Sequence, residues 1–184
     1  MKRIIFQMSI SLDGRIEGPN REIDWHLVDD EFNDFAVDTL GAADALLMGR
    51  ETYELMAAYW PNASGNHPII KERMNATPKL VFSRTLRQVT WQNSRLATGS
   101  IAEEVLALQR APGRGLLWVG GSELAASFLG LGLLDELRVI LTPTLLGGGK
   151  SVFGDLSRRH RLRLLWTKTF ESGSVVLAYE PSER

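Results

Sequence analysis

The sequence predicts an α/β fold on a mostly parallel sheet with an antiparallel edge. Three features carry this. Short apolar runs alternate with segments of helical period over residues 4–143. The runs end in glycine or small polar residues where a helix or loop begins. The tail RLRLLWTKTFESGSVVLAYE, residues 161–180, reads as two strands joined at Glu171–Ser174.

The elements follow in order. Residues 4–12, IIFQMSISL, read as a strand that runs into a turn at Asp13-Gly14. Phe32, Phe35, Ala36, Thr39 and Leu40 recur at helical spacing, and Asp29 stands where an N-cap belongs. ADALLMG (43–49) is a short apolar strand, and ETYELMAA continues as a helix. A polar stretch holding Pro61, Gly65 and Pro68 reads as loop. KLVFS (79–83) is a strand, and IAEEVLALQR (101–110) is a helix with Ile101, Val105 and Leu108 on one face. GLLWVGG (115–121) is a strand entering a glycine pair, and SELAASFLG is a helix with Leu124, Ala125, Phe128 and Leu129 inward. ELRVILTP (136–143) is a strand that Pro143 ends or places at an edge. No repeat, low-complexity tract or linker divides the chain, so residues 1–184 are expected to form one domain.

Composition narrows the function classes. At 184 residues, 44% hydrophobic and 23% charged, the chain can bury a full core without staples. Its 21 Lys+Arg against 22 Asp+Glu give a net charge of -1, so no global field favours nucleic acid or an anionic membrane. The lack of cysteine excludes disulfides, thiolate-bound zinc, iron–sulfur clusters and cysteine nucleophiles. His26, His67 and His160 lie far apart and form no HxxxH or HxH pair, so no metal is expected. The N-terminal run alternates (Ile5, Gln7, Ser9, Ser11) where a signal peptide would be unbroken, and no segment approaches the ~20 apolar residues of a membrane span. A cytoplasmic protein is expected.

Three strand ends share a composition suited to anions. They are Met48-Gly49-Arg50-Glu51-Thr52, Ser83-Arg84-Thr85 and Val119-Gly120-Gly121-Ser122. In a parallel sheet such ends lie along one edge, where ligands bind. A helix start offers free N–H groups to a phosphate, arginine forks match phosphate oxygens, and Ser83 and Thr85 add hydroxyls. The combination suits a phosphorylated dinucleotide, with one arginine left for a ribose phosphate. Any one cluster is equally well a tight turn with solvated arginines; three at successive strand ends are harder to explain that way. The dinucleotide fingerprint GxGxxG is absent, because Gly120-Gly121-Ser122-Glu123-Leu124-Ala125 does not fit it. LLGGGKS (145–151) imitates a phosphate-binding loop but has Thr144 where the first glycine belongs. Lys150 is therefore either a solvated loop lysine or a contact for a substrate anion.

The acidic start of the first helix offers proton donors. At about 100° per residue, Glu31 falls at the margin of the apolar face, one turn before Phe35, while Asp30 and Asp34 point away. Asp29, Asp30 and Glu31 serve the helix dipole equally well. Trp25 and Trp60 either wall a pocket for a planar ring or cover the core edge, and His26 reads as a loop residue.

The order SLDGRIEG, a Trp-containing loop with an acidic helix, LLMGRETYE, LVFSRT, WVGGSEL and GLLDELRVILTPTLLGGGKSVFGD resembles the dihydrofolate reductase-like superfamily. It is most similar to the branch containing the C-terminal reductase domain of the bifunctional riboflavin-biosynthesis protein, over residues 3–180. The resemblance implies a three-layer fold, with helices on both faces of the sheet, and an NADPH-dependent reductase. It implies that Gly49, Arg50 and Thr52 match the adenosine-diphosphate loop and helix start. Ser83, Arg84 and Thr85 then lie beside the adenosine 2′-phosphate. Gly120, Gly121, Ser122 and Glu123 match the pyrophosphate turn, and Ser9 and Ile16 match main-chain positions near the nicotinamide. Thr142 matches a strand threonine in the substrate cleft. The proton-donor carboxylate aligns to Asp30 or Glu31, and helix geometry prefers Glu31. Ala125 replaces an aromatic residue common in the family. No deaminase half like that of the riboflavin protein is expected within these residues, since a cysteine-free sequence cannot build its zinc site.

Two function classes follow from these residues. The first is an NADPH-dependent reductase of a pyrimidine- or pteridine-like small molecule. The second is a non-catalytic nucleotide-binding or regulatory module on the same fold. Charge balance disfavours a nucleic-acid binder. Leu162, Leu164, Trp166 and Phe170 in the C-terminal strands, together with the resemblance, predict a homodimer through that sheet edge.

Overall fold

The computed structural model describes residues 1–182 except 66, 114, 155 and 157. Asp155, the last residue of the GGGKSVFGD motif, therefore lies outside the described residues. Eight strands form one sheet: β1 (Arg3–Ser11), β2 (Ala43–Gly49), β3 (Lys79–Phe82), β4 (Ser94–Leu96), β5 (Leu116–Gly120), β6 (Glu136–Thr142), β7 (Leu162–Thr169) and β8 (Val175–Pro181). Their order is β4-β3-β2-β5-β1-β6-β8-β7. The pairs from β4 through β6 are parallel, and β8 runs antiparallel to both β6 and β7. Among the described residues five α-helices accompany it: α1 (Asp30–Gly41), α2 (Arg50–Tyr59), α3 (Pro68–Ala76), α4 (Ile101–Arg110) and α5 (Ser122–Gly130). Among the described residues no helix is long and apolar enough to cross a membrane.

Period-two alternation sorts the strand side chains into two cores. Ala45 and Leu47 of β2, Leu80 of β3, and Leu117 and Val119 of β5 pack with Val105 of α4 and Leu124, Ala125 and Phe128 of α5. Leu46, Met48 and Val81 point the other way, onto Ala36 and Leu40 of α1, Tyr53 of α2, and Ile70 and Met74 of α3. The sheet is thus covered on both faces over its parallel part, which is why these strands read as unbroken apolar runs.

Two elements differ from the expectation. The stretch read as loop contains α3, whose apolar residues Ile70 and Met74 sit one turn apart behind a proline start. The short strand β4 pairs with β3 after Asn93, which adopts φ 58°. The C-terminal strands also need a correction. Phe170 is only 2% exposed and packs with Ile140 and Val176. Trp166 is half-buried, with its ring centroid 6.3 Å from that of Phe35. Of the four apolar residues expected to form an open edge, Leu162 and Leu164 remain exposed.

Candidate active site

The C-terminal ends of β1, β2, β3 and β5 open into a cleft of ≈570 Å³. All three strand-end clusters contribute to its wall. Gly49, Arg50 and Thr52 line it, as do Ser83, Arg84 and Thr85, and Gly121, Ser122 and Glu123. Ile16 lines it from the loop after β1. Ser9 and Gly120 are not part of its lining, although Gly120 ends β5 directly beside it and pairs with Met48.

Backbone geometry explains the glycines. Gly121 has φ +95°, a left-handed conformation that favours glycine, and a Cβ there would collide with Thr52 Oγ1. This lets the start of α5 approach the start of α2. Gly49 is the N-cap of α2, and a Cβ there would project into open space. Neither Gly49 nor Gly121 supplies a side-chain cap. By contrast, α1 and α4 are capped by Asp29 and Ser100. The first N–H groups of α2 and α5 thus receive no cap from the N-cap side chain where both helices meet the cleft.

The third cluster is fixed by its own hydroxyl. Ser83 Oγ accepts from the backbone N–H groups of Thr85 (3.2 Å) and Leu86 (3.0 Å), holding Arg84 at the cleft wall. Arg50 is shared with two carboxylates of its own helix, Glu54 at 2.9 Å and Glu51 at 3.6 Å.

The loop carrying Ile16 is zipped to the glycine-rich turn before Lys150. The Ile16 N–H donates to Lys150 O (2.9 Å), and the Val152 N–H donates to Gly14 O (3.2 Å). Asp13 accepts from Ser11 Oγ (2.6 Å) and from the N–H groups of Leu146 (3.1 Å) and Gly147 (2.9 Å). Those bonds, the Ser11 hydroxyl foremost, hold the Asp13 carboxyl at about 2.

Lys150 lines the cleft as a bridge between helices. Its Nζ donates to Glu123 at 2.7 Å and to Glu51 at 3.4 Å. The hydrogen bond to Lys150 lowers the Glu123 carboxyl below its ordinary range, and the same bond raises Lys150.

The expected catalytic residues lie elsewhere. Glu31 Oε2 accepts from the Glu171 N–H at 2.7 Å, and Asp29 Oδ2 accepts from the Ser172 N–H at 3.1 Å. Both carboxylates thus tie the start of α1 to the β7–β8 turn. Asp30 is exposed, and Thr142 is 2% exposed, opposite Ser11 in the β1–β6 ladder. None of Asp30, Glu31 and Thr142 lines the cleft. Trp25 and Trp60 also lie off it. Trp25 is buried and donates to Glu22 O, while Trp60 packs on the core between α1, α2 and α3.

Sequence reasoning missed several lining residues: Met8, Ile23, His26, Leu55, Met56 and Phe82 among them. His26 is brought in by the fold-back of residues 18–26, and burial lowers its pKa. Leu55 and Met56 were findable, since α2 begins at the cleft and its second turn must run along it. Among the described residues no group of three or more His, Asp or Glu side chains is placed to hold a metal ion.

Comparison with known proteins agrees with this architecture. The family model of the RibD C-terminal domain matches residues 2–176. The chain belongs to the RibD C-terminal domain family. A relative in this family, the uncharacterised protein YyaP of Bacillus subtilis, is 36% identical over 182 residues, covering 97% of this chain and 94% of its own. Among solved structures, a protein from Shewanella sp. PV-4 assigned to riboflavin biosynthesis superposes with a TM-score of 0.78 at 24% identity, over 100% of both chains. Dihydrofolate reductase from Enterococcus faecalis, solved with NADP(H), superposes with a TM-score of 0.63 at 16% identity, covering 98% of this chain and 97% of its own. At such identities the superpositions establish a dihydrofolate reductase-like fold for this RibD C-terminal domain.

Proposed function

We propose that this protein is an NADPH-dependent reductase of a pyrimidine- or pteridine-like small molecule. The observation that carries the reading is the convergence, on one cleft, of two helix starts without side-chain caps and of Arg50, Arg84, Ser83 and Thr85. This donor set fits a phosphorylated dinucleotide: free N–H groups for a pyrophosphate, and a guanidinium with hydroxyls for a ribose phosphate. The open space at Gly49 would admit a phosphate against the backbone. The solved dihydrofolate reductase of the same fold was crystallised with NADP(H), which supports the cofactor reading.

Bound there, the reduced nicotinamide would supply a hydride. The chain's own contribution is orientation. Arg84, Ser83 and Thr85 would anchor one end of the cofactor, and the starts of α2 and α5 its middle. Ile16, on the zipped loop, would support the far end beside Met8 and Ile23. Reduction of a C=N bond also needs a proton. With Glu31 engaged by Glu171, water reaching the substrate is the proposed source.

The test is consumption of NADPH, against NADH, with a panel of pterins and aminopyrimidines. Turnover with any member supports the reductase. NADPH binding without turnover across the panel favours the alternative, a non-catalytic nucleotide-binding module. That alternative is favoured by one observation: no carboxylate of α1 lines the cleft. We also propose a homodimer through the β7 edge.

A further inference from the structure

Four cations (Arg21, Arg50, Arg84 and Lys150) and three carboxylates (Glu17, Glu51 and Glu123) line the cleft. A site for a multiply charged anion is thus nearly neutral, and two of its carboxylates belong to the first turns of the helices that would meet the phosphates. Glu51 and Glu123 are both spanned by one ammonium, Lys150 Nζ. Their side chains are 50% and 77% exposed, whereas that of Lys150 is 33% exposed. Exposed ion pairs of this kind contribute little to the stability of a fold. The glutamates can swing into water, while the backbone that carries Lys150 is held in place. Its backbone is fixed by the bond from Ile16, and Gly149 before it, at φ +101°, packs so closely on Glu17 O that no side chain would fit.

We propose that Lys150 is the phosphate-binding cation of the cleft and that Glu51 and Glu123 form an electrostatic latch on it. An entering diphosphate takes Lys150 from the glutamates, which rotate out to solvent, and meets the two helix starts. The glutamates hold the ammonium over the cleft beforehand, so its side chain is ordered before the ligand arrives. They also set a threshold: a ligand with a single weak charge does not displace two carboxylates, whereas a diphosphate does. This inference rests on the cofactor reading above and goes beyond it, by assigning opposite roles to residues of opposite charge in one site.

The experiment measures the dissociation constant of NADPH for the full chain and its variants, with inorganic pyrophosphate in thermal melts as a second probe. Lys150→Met is expected to weaken NADPH roughly ten-fold or more, the loss typical of a charge-assisted phosphate contact, and to abolish stabilisation by pyrophosphate. Lys150→Arg should restore most of both. Glu123→Gln is expected to tighten NADPH binding about two- to five-fold. If the unmutated protein binds NADPH and Lys150→Met binds it equally well, the latch is wrong while the cofactor reading stands. If Glu123→Gln binds more weakly, the glutamate is a ligand contact and not a competitor, and the latch is again wrong. If the unmutated protein binds neither NADPH nor pyrophosphate, the cofactor reading falls and the latch with it.

Discussion

Thr52 Oγ1 occupies the space that a side chain on Gly121 would need, and this contact sets how closely α5 approaches α2. Gly121→Ala would meet two obstacles, the collision and the left-handed φ of +95°. The variant should lose about 1–3 kcal/mol of unfolding free energy and bind NADPH more weakly. Adding Thr52→Ala removes the obstructing hydroxyl but not the backbone strain, so it should restore part of the lost stability. Chemical denaturation of the single and double variants checks this; a Gly121→Ala protein as stable as the unmutated one would show that the two helix starts are not tightly coupled.

Cofactor choice should depend on Arg84. Arg50 is already shared with Glu51 and Glu54, whereas Arg84 is presented to the cleft by the Ser83 turn. Loss of one charge-assisted contact to a phosphate costs about 1.5–3 kcal/mol. Arg84→Ala should therefore weaken NADPH roughly ten-fold or more and leave NADH nearly unchanged. Titration of both cofactors decides it, and equal affinity of the unmutated protein for the two would remove the basis for a ribose-phosphate site.

The sequence revealed the parallel sheet and the anion-suited strand ends because both are local signals. Strand ends in a parallel sheet share one edge whatever the helices do, so strand order alone brings Gly49, Ser83 and Gly121 together. What was illegible depended on long-range folding. His26 and Ile23 reach the cleft only because residues 18–26 fold back, through bonds such as Gly18 N–H to Glu22 O. Helix periodicity puts Glu31 at the margin of the apolar face, but it could not show the partner there, the Glu171 N–H, from a turn 140 residues away. Lys150 was equally opaque, since its two carboxylates come from separate helices. Helix α3 was legible in principle: Ile70 and Met74 form a one-turn apolar pair, but the prolines and glycine around them outweighed it.

Acid should loosen the outer edge of the sheet beside the Ser83–Thr85 turn. Glu104, 6% exposed, accepts from Arg95 (2.7 Å) and from the N–H groups of Thr98 (2.7 Å) and Gly99 (3.3 Å), which ties α4 to β4. Arg95 above all, with those N–H groups, holds the carboxyl at about 2 against the opposing effect of burial. A carboxyl whose pKa is lower folded than unfolded binds fewer protons in the native state. Its stabilisation is therefore complete above the unfolded value of about 4.5 and disappears as pH falls toward 2. Allowing for screening of the half-exposed Arg95, we expect about 2 kcal/mol at neutral pH. The stability difference between the unmutated protein and Glu104→Gln should shrink to near zero between about pH 4.5 and 2; a difference independent of pH would rule this out.

Glu31 offers a test that separates fold from chemistry. Its bond to the Glu171 N–H is exposed, so Glu31→Ala should cost no more than about 0.5–1.5 kcal/mol. Glu31→Gln keeps a carbonyl acceptor and should be close to neutral in stability. With water as the proton source, Glu31→Gln should also keep kcat and its pH profile. A Glu31→Gln protein that is stable but has lost kcat together with one limb of the pH profile would make Glu31 the proton donor.

The last prediction concerns the edge strand β7. Its register slips between Leu164 and Trp166, the mark of a bulge, so Leu164 pairs with Tyr179 and Trp166 with Ala178. The slip sends neighbouring apolar side chains to different places. Trp166 turns toward Phe35 and lies under the Arg138 guanidinium, whereas Leu162 and Leu164 stay 40% and 49% exposed. Tyr179 and Leu177 are only partly buried where they join the core on the α4–α5 side, so the leucines extend an incompletely covered sheet face. An apolar sheet margin of this kind invites a second copy, and a two-fold arrangement would bury it on both chains at once. Light scattering at micromolar concentration should return about twice the 20.5 kDa chain mass. The paired change Leu162→Glu with Leu164→Glu should yield a monomer, because burying two carboxylates against their own copies is strongly unfavourable. The cleft lies at the ends of β1, β2, β3 and β5, away from this edge, so that monomer should keep its NADPH affinity. A single-chain mass for the unmutated protein would end the dimer proposal, and a dimer that survives the double change would move its interface to another face.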